Sequence, residues 1–442
     1  MSDQAGAGEG IHLIVIGAGL AGLSVALSTK LANPAHQVTV LEAVKELQEI
    51  GAGLQITPNG TRLLEAWGLF QRLAPRAAVP RSLAVHRYDG TRLLAEETSL
   101  QEKARKRSGG YPFWDLHRVD LQQAMLARCA EIGVEIRLDS PAVRVDFDEA
   151  RVYVAAGDST AVVEGDVVML AEGLWSRIRS QFLGQPSPAV PTGDLAYRIS
   201  IRADELEGED ADELRAFIRD PTVDLWLGPR AHCVSYSVCG GDIFNLVLLA
   251  PDDLPNGVVK QEGDKEEMHR RFAGWDPLLG RFLKQVRSVV HKWRLMWLEA
   301  LPRFANEKGT FFMAGDCCHP MLPYLAQGAN SSLEDGAVFG SLLGKVKRSE
   351  MARQLPRVSA LYQKLRIDRS RKIQSETFKQ RNDSHMEDGE AQEKRDALML
   401  SMLGGEIKAP FPVRFICPEA QEFLYGYDAY AEAEKAYQED PF

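Results

Sequence analysis

The run Ile11-His12-Leu13-Ile14-Val15-Ile16-Gly17-Ala18-Gly19-Leu20-Ala21-Gly22 decides the fold. An apolar strand-like segment leads into G-x-G-x-x-G, and a helical pattern follows from Leu23 to Leu31. A second apolar run, Val38 to Leu41, ends on Glu42. Strand, glycine turn, helix and acid-closed strand predict a Rossmann-like α/β unit that holds a dinucleotide. Gly17 permits the tight turn, Gly19 lets backbone approach a pyrophosphate, and Gly22 lets the helix pack on the sheet. The helix N-terminus offers free N–H groups to the phosphates. Glu42 is placed to accept hydrogen bonds from an adenosine ribose. The motif alone leaves NAD and FAD both open.

The 442 residues are 45% hydrophobic and 26% charged, a balance that predicts a large core over two or three domains. A net charge of -10 disfavours a nucleic-acid partner. No apolar stretch is long enough to span a bilayer, and the polar start Met1 to Gly10 lacks the apolar segment of an export signal. Six cysteines without a C-x-x-C pair fit a reduced, cytoplasmic chain. Cys317-Cys318-His319 matches no common zinc spacing, so no metal is expected.

Further along, Gly51-Ala52-Gly53-Leu54-Gln55-Ile56-Thr57-Pro58-Asn59 suggests backbone close to something flat, before a helix from Gly60 to Trp67. Gln101 to Gly110 reads as a charged loop. Leu121, Met125 and Cys129 recur at helical spacing after Arg118. Strands are expected at Val134–Leu138, Ala142–Phe147, Val152–Ala156 and Asp166–Ala171, the last running into Glu172-Gly173. Thr192 to Leu249 turns β-rich, with an acidic surface helix over Asp204–Asp220 and a hairpin at Gly240-Gly241-Asp242. Helices follow at Glu266–Phe272 and Leu278–Val286, and strands at Trp293–Leu298 and Thr310–Ala314. A helix from Gly328 to Lys345 precedes a long charged one, Arg353–Gln380, whose charges read as a solvated face. Pro410 to Phe442 reads as an irregular tail with an acidic helical end.

The strand ending in Gly315-Asp316 is the second clue. Asp316 can bond sugar or ribityl hydroxyls, or simply cap a helix, and the helix from Gly328 aims its positive end ahead of it. A reduced flavin, being an anion, benefits from that field. In the strand His232 to Val238, period two puts His232, Val234 and Tyr236 on one face. An imidazole and a phenol there suit an aromatic hydroxyl substrate; a satisfied sheet histidine with a core tyrosine is the plainer alternative. Arg198 lies on the face opposite Tyr197, suited to a carboxylate or phenolate, or to a structural ion pair.

Taken together, Gly17 to Gly22 with Glu42, Glu172-Gly173 and Gly315-Asp316 resemble the class A, single-component FAD-dependent aromatic hydroxylases. Gly51 to Asn59, Leu116-His117-Arg118, Ala196-Tyr197-Arg198, Trp293-Arg294-Leu295, Met321 to Asn330 and His385 to Asp396 resemble the salicylate hydroxylase and 6-hydroxynicotinate 3-monooxygenase branch. The resemblance implies a p-hydroxybenzoate hydroxylase-type fold. Its FAD-binding domain would take 11–80, 105–180 and 295–345, a β-rich substrate domain 81–104 and 181–294, and a C-terminal helical region and tail 346–442. It implies FAD held by Gly17, Gly19, Ala21, Glu42, Gly53, Arg118, Asp316, Gly328, Ala329 and Asn330. His232, Tyr236 and Arg198 would be catalytic, with Gln55 and Pro323 in the substrate pocket. The implied reaction consumes O₂ and transiently bound NAD(P)H, and hydroxylates a phenolic ring through a flavin hydroperoxide, with or without loss of CO₂. An epoxidase or hydroxylase of a larger natural product, and a non-catalytic FAD-binding module, are the rival readings. A small aromatic substrate is the expected partner, and a homodimer is allowed. Two positions depart from the family pattern: Glu172 stands where Asp is usual, and Cys317-Cys318 where two alanines are usual.

Overall fold

Near-continuous apolar strands build a five-stranded parallel sheet whose faces are both covered. Its order is Phe311–Met313, Val167–Leu170, His12–Ile16, Gln37–Leu41 and Glu135–Arg137. This computed structural model describes residues 10–47, 53–157, 159–287 and 289–442. The polar start, as far as residue 9, and Gly51 of the glycine-rich stretch lie outside the described residues.

Helix Leu20–Ala32, which follows the glycine turn, packs lengthwise on helix Gln327–Leu343. Small residues set the closeness of that pair. A Cβ on Gly336 would lie 2.4 Å from the Ser24 carbonyl carbon, and one on Gly340 would lie 2.5 Å from that of Ser28. Two segments some 300 residues apart in sequence are thereby brought into register, so both helix N-termini open toward the same space.

A second, mixed sheet has eight strands. Their order is Lys260–Gly263, Val290–Trp297, Val190–Arg202, Ile243–Pro251, Ala231–Val238, Thr222–Gly228, Ser82–Arg87 and Leu93–Glu97. Alternation in its long strands sends Leu195, Tyr197, Cys233, Phe244 and Leu246 to an outer core beneath helices Ala211–Arg219, Lys265–Arg271 and Pro277–Lys284. The opposite face turns toward the first sheet. Between the sheets runs a two-stranded ribbon, Gly53–Ile56 paired with Trp114–His117.

Several expectations need correction. Gln101 to Gly110 is no loop: Leu100–Ser108 is a helix, ended by Gly109 at φ 76°. Its apolar face is only Leu100 and Ala104, which the charged residues conceal in sequence. The acidic segment from Asp204 is helical only over Ala211–Arg219 after a short turn at Ala203–Glu205. Ser159–Glu164, not anticipated, pairs with Arg151–Ala156 as an edge strand. The long helix, Met351–Ser384, is not simply solvated along its charged face. Arg366 is wholly buried, bonding Glu334 at 2.8 Å and Asp335 at 2.6 Å, and Arg369 reaches Glu334 at 2.7 Å. The C-terminal portion packs into the cores of both sheets. Val358, Tyr362 and Ala433 join the core of the nucleotide sheet, whereas Met399, Phe411 and Tyr425 join a core with Leu83 and Val223 of the second sheet. The tail carries two helices, Pro418–Tyr425 and Ala429–Glu439.

Candidate active site

The three glycines of the turn meet three different constraints. Gly17 has φ 105°, and a Cβ there would sit 2.5 Å from the Ala171 carbonyl oxygen. A Cβ on Gly22 would lie 1.9 Å from the Gly17 oxygen. A Cβ on Gly19 would meet nothing within 4 Å, so the space before that backbone is free for a ligand. Glu42, at the end of its strand, accepts from Ala18 N at 2.7 Å and from Val44 N at 3.1 Å. Its carboxylate is thus tied to the turn on the adenosine side, outside the enclosed cavity described next.

A cavity of about 290 Å³ opens between the two sheets. Gly19, Ala21, Gly53, Arg118, Asp316, Gly328 and Ala329 line its nucleotide side. Gln55, Arg198, His232, Tyr236 and Pro323 line the substrate side. Asn330 does not line it. Its Oδ1 accepts from Thr57 N at 3.1 Å and its Nδ2 donates to the Gln55 and Ala326 carbonyls, so it stitches helix to ribbon. The polar atoms of its side chain are thus spent on backbone.

Asp316 sits in a turn that Gly315 forms by donating its N–H to Asp335 at 2.7 Å. Protein surrounds Asp316, yet its side chain stays open to the cavity. Burial pushes its carboxyl pKa up, while His319 and Arg118 pull it down. Arg118, the first residue of helix Arg118–Glu131, is exposed to the cavity without a carboxylate partner among the described residues. An acid for hydroxyls, a free cation for phosphate and open backbone at Gly19 fit a flavin dinucleotide.

On the substrate side, register fixes a grid. Ala196, Leu249 and His232 form one row, Arg198, Val247 and Val234 the next, and Ser200, Asn245 and Tyr236 the third. Arg198 is walled by protein but open to the cavity, with no ion pair among the described residues. Burial lowers its pKa, which Tyr236 opposes and Arg118 reinforces; the guanidinium still remains charged. Burial raises the Tyr236 phenol, with Asp115 adding to it, so Tyr236 keeps its proton. His232 is 4% exposed, and its Nδ1 lies 2.7 Å from His385 Nε2. Burial, reinforced by His385, lowers the His232 pKa well below its ordinary value. The imidazole is therefore neutral at pH 7.

Residues not singled out in the sequence complete the cavity. Asn245 accepts from Gly53 N at 3.1 Å, and its buried Nδ2 has no partner among the described residues. Period two in its strand was the available signal, since Asn245 shares a face with Val247 and Leu249. Tyr324 comes from the Met321 to Asn330 stretch, and Gln380, Ser384 and Phe415 arrive from the C-terminal portion, where no local pattern marks them. Asp115, behind Gln55, accepts from Gln55 Nε2 at 2.9 Å; burial holds its carboxyl well above the ordinary range. Glu172 accepts from Ser176 Oγ at 2.7 Å, and burial raises it, with Glu42 adding to the rise. Cys317 and Cys318 are buried in packing, and His319 bonds Asp335 at 2.6 Å rather than forming a ligand cluster with them. His117, Asp120 and Cys239 do converge within 4.8 Å, but the guanidinium of Arg76 already holds Asp120 through two hydrogen bonds.

A family model described as FAD binding domain matches residues 11–224 and 299–370. The chain is 48% identical over 429 residues to FAD-dependent monooxygenase OpS4 of Beauveria bassiana (strain ARSEF 2860), covering 97% of each. It is 29% identical over 420 residues to 3-hydroxybenzoate 6-hydroxylase of Polaromonas naphthalenivorans (strain CJ2), covering 95% of this chain and 96% of that one. A solved salicylate hydroxylase substrate complex superposes with a TM-score of 0.76 at 20% identity, over 97% of this chain and 98% of that chain. The chain belongs to the FAD-dependent monooxygenases of the class A hydroxylase type, and its cofactor is FAD. No helix among the described residues is long and apolar enough to cross a membrane.

Proposed function

We propose that the chain hydroxylates a small phenolic acid, with NADH or NADPH as reductant and O₂ as oxygen source. Bound FAD supplies the redox chemistry between the nucleotide and oxygen. The observation that carries the reading is Arg198, a charged group facing the cavity without an anionic partner among the described residues. A carboxylate on the substrate would supply that partner through charge-assisted hydrogen bonds. Val234, Val247 and Leu249 give the ring an apolar floor. Hydroxylation by an electrophilic oxygen needs an electron-rich ring, so the phenol must lose its proton. His232 is the base: it is neutral, it lines the cavity, and its Nε2 has no hydrogen bond to the described residues. Tyr236 keeps its hydroxyl proton and orients the phenolate as a donor.

The test is a screen of hydroxybenzoates, hydroxynicotinates and larger phenols for ligand-stimulated NADH and NADPH consumption, with products identified by mass. Phenolic acids should stimulate, and matched phenols lacking the carboxylate should not. The product mass also reveals whether CO₂ is lost. Absence of stimulation by every phenolic acid overturns the reading.

A further inference from the structure

His232 does not stand alone behind the cavity. His385, the residue that ends helix Met351–Ser384, bonds His232 Nδ1 through Nε2 at 2.7 Å. Its other nitrogen, Nδ1, faces Asp194 Oδ1 at 3.9 Å. Asp194 is 1% exposed and is held in place by two neighbours. Tyr324 donates its hydroxyl to Oδ2 at 2.6 Å, and Arg381, one turn before His385, donates to both carboxylate oxygens. The Tyr324 ring packs against both imidazoles, with centroids 5.5 Å and 5.9 Å away. Arg230 N also bonds the His385 carbonyl at 3.1 Å, pinning the end of the helix to the sheet.

Beyond this cluster lies a second cleft. Asp194, Arg230, Arg381, His385 and Glu387 line it. It is open to solvent, since the Arg230 and Glu387 side chains there are 66% and 73% exposed. His385 lines this outer cleft, and its partner His232 lines the inner cavity. The imidazole pair spans the wall between the two.

We propose that His385 and Asp194 form a proton exit, through which the proton that His232 takes from a bound phenol leaves for the outer cleft. This exit presupposes that His232 is the base. The Asp194 carboxylate favours an N–H on His385 Nδ1, which leaves His385 Nε2 as an acceptor. His232 must then carry its own proton on Nδ1 and present a bare Nε2 to the cavity. In the transfer, the phenol O–H bond breaks and an N–H forms at His232 Nε2. The proton on His232 Nδ1 passes to His385 Nε2, and that on His385 Nδ1 passes to a water of the outer cleft. Neither ring gains net charge, which suits a pair whose burial opposes protonation.

The test uses the FAD-loaded full chain and 4-hydroxy-3-nitrobenzoate, a phenolic acid whose phenolate absorbs in the visible. Mixing below the ordinary phenol pKa of the probe, in stopped flow, reads the rate at which bound phenolate appears. His385→Ala should slow it by about 100-fold, with imidazole added to the solvent restoring the rate through the opened cleft. His385→Gln, which fills the gap but carries no proton, should be slowed without rescue. FAD affinity should be unchanged in both. A wild-type rate in both variants overturns the exit, as does a slowed His385→Ala that imidazole does not restore. Loss of FAD from both marks His385 as structural and also overturns it. Absence of phenolate in the wild-type chain, or its unaltered appearance in His232→Ala, overturns the base assignment itself.

Discussion

Arg198→Met separates the two demands that the cavity makes on that side chain. In the ligand-free chain the guanidinium is partly desolvated by the cavity wall and lacks an anionic partner among the described residues, so its charge is a burden. Methionine keeps most of the volume and removes the charge, so the melting temperature of the FAD-loaded, substrate-free chain should rise. Binding should move the other way. A hydrogen bond to a charged group contributes about 1.5–3 kcal/mol, and each 1.4 kcal/mol is tenfold, so Kd for 3-hydroxybenzoate should increase about 10- to 140-fold. Flavin absorbance titration measures Kd, and thermal melts with and without ligand measure the opposed stability effect. The matched phenol without a carboxylate should bind the two proteins alike. A Kd for 3-hydroxybenzoate within about threefold of wild type, or a lowered melting temperature without ligand, would refute the reasoning.

Glu42→Gln should weaken FAD retention by about 1–3 kcal/mol, read as faster FAD loss on dilution, because the carboxylate joins the turn to the ribose side. Arg366→Met should destabilise the chain by about 3–5 kcal/mol, since Glu334 and Asp335 then lose a buried cation; a pronounced drop in melting temperature checks it. Burial first, and Arg381 with it, holds the His385 pKa down to about 4 against the pull of Asp194. The unfolded imidazole takes a proton near pH 6.5 while the folded one does not, so stability falls as pH drops from about 6.5 toward 4. Raised carboxyls such as Asp115 have the opposite slope, so the comparison is with His385→Gln, whose stability should depend on pH by one proton less in that window.

The nucleotide half of the site was legible because its signal is local. Backbone geometry alone dictates Gly17 and Gly22, the motif spacing adds Gly19 as the open approach for a ligand, and a fixed offset places Glu42 after the second strand. The substrate face was legible in part, since period two aligns His232, Val234 and Tyr236 without knowledge of any neighbour. His385, Asp194 and Tyr324 were not, although His385 and Tyr324 lay in stretches that carry the resemblance. Their meaning comes from contacts 153 and 130 positions apart in sequence, which no periodicity encodes. The long helix misled for a related reason. Arg366 and Arg369 look like solvent-facing charges until Glu334 and Asp335, buried on the neighbouring helix, are seen to demand cations.

The grid of the second sheet also bears on which phenolic acid fits. His232 and Arg198 stand two strands and two residues apart on the same face. With strands about 4.8 Å apart and a rise of about 3.4 Å per residue, their Cα atoms lie about 12 Å from each other. Both side chains line the cavity, so they approach a ring from separate sides, with Val247 and Val234 between them as its floor. A meta or para acid presents its hydroxyl and carboxylate to the two groups at once. An ortho acid has them adjacent and hydrogen-bonded to each other, and engages only one end. Among 2-, 3- and 4-hydroxybenzoate, the 3- and 4-isomers should therefore bind tighter, and Arg198→Met should erase most of the difference. Tightest binding by the 2-isomer would mean that hydroxyl and carboxylate meet the same side chain, and Arg198 and His232 would then have to converge rather than span the ring.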